Sequence, residues 1–98
     1  MGDILANENK LREQAVRAAR AKALLEDELF AEAFVWLEAE CIKAWKASPA
    51  RDDDGRQRIW RQVQALNQVN DYLRLLVRDG KIAYEELERL AREREEAA

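Results

Sequence analysis

Few side chains in this 98-residue sequence could do chemistry, and their types exclude most of it. Histidine and threonine are absent, and hydroxyls come only from Ser48, Tyr72 and Tyr84. A catalytic nucleophile needs a base within hydrogen-bond reach, so neither a Ser-His nor a Cys-His pairing can be built, and no catalytic residue is expected. Cys41 stands alone, which leaves no intramolecular disulfide and no thiolate zinc site within one chain. It reads as a small core residue from a reducing, intracellular setting. Asp52-Asp53-Asp54-Gly55 has the composition of a calcium loop. An EF-hand, however, spaces its ligands at alternate positions and ends on a glutamate at the twelfth, where this chain has Val63. The three aspartates therefore read as helix caps. Glu85 and Glu88 lie three apart but lack the histidine that carboxylate metal sites of helical bundles use, so they read as a solvated face. Neither a metal nor a cofactor is expected.

Two further groups of residues point to binding. Lys10, Arg12, Arg17, Arg20 and Lys22 are interrupted by a single acid, Glu13, and Lys10, Arg17 and Arg20 share one helical face. That face reads either as the solvated side of an alanine-rich helix or as a contact for phosphates. The run that follows, Glu26, Asp27, Glu28, Glu32, Glu38 and Glu40, contains no base. Such polarity along one chain favours head-to-tail packing against a copy or a charged neighbour. Trp36 falls off the apolar stripe of its helix and, with Trp60, is read either as an edge-of-core tryptophan or as an interface anchor, the residue type enriched at binding hot spots.

The elements that must position these residues are helices. Ala, Glu, Arg and Leu dominate, with three glycines and one proline, and the few Val and Ile residues recur at helical spacing without alternating. From Asp3 to about Leu25 the stripe Ile4, Leu11, Ala15, Ala18, Leu25 is thin in apolar area, and this first helix is expected to project, to bind a neighbour and to add little to the core. Asp27 can cap a second helix that runs to about Ala47, with Leu29, Phe30, Phe34, Leu37, Cys41, Ile42 and Trp45 on a broad, heavy face of the kind that faces a core. Pro49 breaks it. A third helix is expected from about Asp53 to Arg78, where Ile59, Val63, Leu66, Asn70, Leu73 and Val77 alternate spacings of four and three in a heptad seam. Asn70 in that seam either specifies register or bonds a neighbouring backbone. Asp79-Gly80 reads as the stop of this helix, with a short fourth helix from about Ala83 and a frayed tail over 92–98. The expected fold is all-α: one domain over 1–98, with an antiparallel hairpin of about 27–47 and 53–78 flanked by an N-terminal helix and a short C-terminal one. Its core should hold Phe30, Phe34, Leu37, Cys41, Trp45, Ile59, Val63, Leu66, Leu73 and Val77.

A net charge of −3 is too small to imply a polyionic partner for the whole molecule. No apolar run approaches the roughly 18 residues of a membrane span, and the opening Met1-Gly2-Asp3 lacks the basic start of a secretory leader. Ala6 stands where a myristoylation motif wants Ser or Thr. The partners expected are proteins, including other copies of the chain, with nucleic acid as the less favoured alternative and no membrane.

Several stretches carry a resemblance: Leu24-Leu25-Glu26, Glu32-Ala33-Phe34, Leu37-Glu38-Ala39, Ala44-Trp45-Lys46-Ala47, Gly55-Arg56-Gln57-Arg58-Ile59-Trp60, Tyr72-Leu73 and Asp79-Gly80-Lys81-Ile82. Over about positions 24 to 82 the chain resembles small helical proteins encoded in the virion modules of tailed bacteriophages and prophages, near portal and capsid genes. The resemblance brings no functional residues with it. It implies a non-enzymatic structural or assembly protein of a phage particle, located in the virion or the host cytoplasm. A DNA-packaging protein and a phage-encoded adaptor or inhibitor of a host protein are the alternatives.

Overall fold

The computed structural model describes residues 2–98, and the chain is all-α: α1 spans Gly2–Glu26, α2 Glu28–Ala47 and α3 Asp53–Ala97. Local chemistry sets the two breaks. Asp27 adopts an extended conformation and its carboxylate accepts from the Phe30 amide at 2.8 Å, which caps α2 at its free N–H groups. At the other end Ser48 leaves helical geometry ahead of Pro49, and its hydroxyl donates to the Trp45 carbonyl at 2.6 Å. Asp52 then caps α3 through the Gly55 amide at 3.0 Å. A Cβ on Gly55 would sit 2.2 Å from that carboxylate, so the glycine leaves room for the cap.

The separate fourth helix does not exist. Asp79-Gly80 lies inside α3, which continues unbroken to Ala97, and no glycine takes the positive φ of a C-terminal cap among the described residues. Gly80 serves another purpose. A Cβ built on it would fall 1.9 Å from the Ala18 Cβ and 3.1 Å from the Gln14 carbonyl oxygen, so the glycine lets two helices approach until their backbones nearly touch. The tail expected to fray is likewise helical, and Arg94 reaches the carboxylate of Glu8.

The chain divides into two compact units. The first joins α1 up to Leu24 with the stretch of α3 from Leu73 onward. Its interior is made of small residues: Ala18, Ala21, Gly80 and Ala83 are buried, Ala83 to 1 % exposure. This corrects the expectation of a projecting first helix. Alanine offers little area, but it permits a short interhelical distance, and dispersion contacts along two close backbones replace those of large side chains. Ala21, outside the apolar stripe read from the sequence, is buried, whereas Ile4 of that stripe is exposed. Glu8 is 3 % exposed; Arg94 and Arg12, the latter at 3.5 Å, neutralise its carboxylate. On the outer side of this stretch Arg89 pairs with Glu86 and Glu93 at helical spacing, and its hydrogen bonds hold the Glu86 carboxyl below the ordinary carboxylate value.

The second unit, Leu25–Tyr72, holds α2 and the first part of α3. The Arg56 guanidinium lies 4.8 Å from the Trp45 ring and donates to the Ser48 hydroxyl at 3.1 Å, while Leu37 shares a groove with Leu66 and Val69. Phe30 and Phe34 stack at 4.9 Å between ring centres. Phe30, Phe34, Cys41, Ile59, Val63, Leu66 and, further along α3, Leu73 and Val77 are only half-buried. Leu37 and Trp45, expected in the core, stay 39 % and 38 % exposed. The reason is that one helix covers one face: with two layers there is no enclosed interior for a side chain to enter.

Candidate docking surface

In the second unit the apolar residues of α2 outnumber the positions that α3 covers. Along α2 one stripe, Phe30, Phe34, Leu37 and Cys41, faces α3. A second pair seven residues apart, Leu29 and Trp36, is 73 % and 61 % exposed, and a third on the opposite flank, Val35 and Ile42, is also exposed. At about 100° per residue these three sets point in three directions. Large apolar side chains thus stand on three sides of a helix that also carries six charged residues. None of the residues of α2 is buried.

Between α2 and α3 runs an open groove of about 480 Å³ lined by Leu37, Cys41, Ala44, Ala65, Leu66 and Val69, with Glu40 and Gln62 as its polar groups. Cys41 is thus a half-buried wall residue of this groove. Trp60 lines a second hollow with Trp45, Asp53, Arg56 and Gln57. Both tryptophans singled out from the sequence are therefore at the surface, in the same unit. Asn70 is half-buried on the α3 seam.

The basic residues of α1 belong to the first unit. Lys10, Arg17 and Arg20 are exposed, and Arg17 and Arg20 border a hollow with Ala21, Leu24, Leu73 and Leu76. The face they share is the flank of a helix whose neighbouring side is occupied by the Ala18–Gly80 contact.

Two of the groups considered for chemistry have structural occupations. The Ser48 hydroxyl is bonded to the Trp45 carbonyl and to Arg56, and the Asp52 carboxylate caps a helix. Among the described residues no group of three or more Cys, Asp or Glu side chains is placed to hold a metal ion. Among the described residues no helix is long and apolar enough to cross a membrane. Sequence reading placed Leu29 and Ile42 on the core face of α2, whereas they are 73 % and 47 % exposed, so it missed the extent of the α2 surface. The signal was present in the spacing of Leu29 from Trp36 and of Val35 from Ile42, each one heptad apart. Neither a protein-family model, nor a curated protein, nor a solved structure matches the chain.

Proposed function

We propose that this chain is a non-enzymatic structural or assembly protein that docks to other proteins of a tailed-phage particle, and to copies of itself, through helical surfaces. The observation that carries the docking reading is α2: it carries large apolar residues on more than the side α3 covers, and Leu29, Val35 and Trp36 are each more than 60 % exposed. Burying a Leu, Val or Trp of this kind against a partner is worth roughly 1.5 to 3 kcal/mol per side chain, a strong drive toward association. The particle context comes from the resemblance over about positions 24 to 82, in which the pairing of α2 with the first part of α3 would be the docking module. Trp36 and Trp60 would serve as its anchors, with Lys10, Arg17 and Arg20 meeting acidic surfaces or nucleic acid on the other unit. Mass spectrometry of purified particles from a producing strain tests the reading. The chain should be recovered in several copies per particle, and its consistent absence would overturn the assignment to the particle.

A further inference from the structure

We infer that the bare flank of α2 is a self-complementary interface that pairs antiparallel with the same flank of a second copy. The inference rests on the docking reading above and names the partner. Leu29, Ala33, Trp36, Glu40, Lys43 and Ala47 follow one another at alternating spacings of four and three, a complete second heptad stripe beside the one that α3 covers. All six are exposed.

The order of residue types in this stripe selects both the partner and its direction. Set parallel to a copy of itself, the stripe would bring Glu40 against Glu40 and Lys43 against Lys43, like charges in adjacent layers. Set antiparallel about a two-fold axis level with residue 38, it places Leu29 against Ala47, Ala33 against Lys43, and Trp36 against Glu40, each layer occurring twice by symmetry. Large residues then face small ones. The indole N–H of Trp36, which needs a hydrogen-bond acceptor once desolvated, meets the Glu40 carboxylate of the other copy. Glu32 flanks the stripe toward one end and Lys46 toward the other, so each Glu32 of the pair comes between Lys43 and Lys46 of its partner. Lys46 lies in the last turn of α2 and Glu28 in the first, which places the opposite helix ends together with opposite charge. The contact follows a helix of 20 residues, about 30 Å long, and belongs with small interfaces.

Charge reversal tests this directly. Glu32→Lys replaces the acid that meets Lys43 and Lys46 of the other copy by a base; the double variant Lys43→Glu, Lys46→Glu leaves no base on α2. These side chains are exposed, so both variants should keep the helix content of the parent. By sedimentation equilibrium up to about 1 mM, where small interfaces populate a dimer, the parent should dimerise. Each variant alone should be weakened roughly tenfold or more, and the equimolar mixture should recover a heterodimer at least as tight as the parent. A parent that stays monomeric, or a mixture that fails to associate, would overturn the inference. Dimerisation of either variant equal to that of the parent would also remove this interface, while leaving docking through other surfaces of the chain intact.

Discussion

Replacing Gly80 by alanine sets two effects of opposite sign against each other. In an exposed helix interior the change should stabilise the chain by roughly 1 kcal/mol, because alanine loses less backbone entropy than glycine. At this position the new Cβ would fall 1.9 Å from the Ala18 Cβ, where carbon atoms need about 3.5 to 4.0 Å. The helices must separate by well over an ångström, and overpacking of that kind costs about 1 to 3 kcal/mol, toward the upper end for so deep an overlap. The net expectation is a loss of about 1 to 2 kcal/mol, or a fall in melting temperature of roughly 5 to 15 °C for a chain of this size. The companion change Ala18→Gly removes the methyl group in the way. Alone it should cost about 1 kcal/mol in helix propensity. Combined with Gly80→Ala it exchanges which helix carries the methyl, and the pair should return to within about 1 kcal/mol of the parent. Thermal and urea melts of the four proteins by circular dichroism complete the cycle. A Gly80→Ala protein more stable than the parent, or two changes that simply add, would refute the close contact between α1 and α3.

Other perturbations bear on separate parts of the structure. Arg94→Ala leaves the buried Glu8 carboxylate with Arg12 alone at 3.5 Å, and should lower stability by about 1 to 3 kcal/mol in urea melts; Glu8→Gln in the same background should restore part of the loss, since the group left behind carries no charge. Phe34→Ala removes the ring that stacks on Phe30 at 4.9 Å, and because the site is half-buried the cost should be about 1 to 2 kcal/mol, below that of a fully enclosed phenylalanine. Acid titration has a defined sign: the Glu86 carboxyl is held below its ordinary value of 4.5 by Arg89, so its contribution is complete above that pH and disappears as pH falls through the lowered value. Arg89→Gln should remove that acid-side dependence of helicity, and an unchanged titration would show that the pair does nothing in solution. Binding to DNA through Lys10, Arg17 and Arg20 must weaken steeply with added salt; association indifferent to salt would exclude phosphate contact by these bases.

The breaks in the chain were legible because single residues decide them. Asp27 and Pro49 act on their own neighbours, and the sequence places the ends of α2 within a residue of where they lie. The seam of α3 from Ile59 to Val77 was legible for a similar reason, since its spacing repeats. Gly80 was not. A glycine after aspartate at the end of a heptad run serves equally as a left-handed cap or as a point of close approach, and only the presence of Ala18 opposite it distinguishes the two. The same blindness affected the alanines of α1, whose small area suggested weak packing when their effect is to shorten the distance between helices. Glu8 shows a third limit: its partner Arg94 is 86 positions away, and no local pattern connects them. On the candidate surface, Trp36 drew attention by its type. The stripe to which it belongs needed the structure, because exposure separates the heptad that α3 covers from the one left bare.

The claim on which the functional account depends is that the exposed flanks of α2 are covered when the protein is at work. Amide hydrogen exchange, followed by mass spectrometry on the isolated chain and on the assembly recovered intact from producing cells, measures this directly. The account predicts that amides over 28–47 exchange markedly more slowly in the assembly, because docking adds its own free energy to that of opening the helix. Equal exchange across α2 in the two states would contradict it.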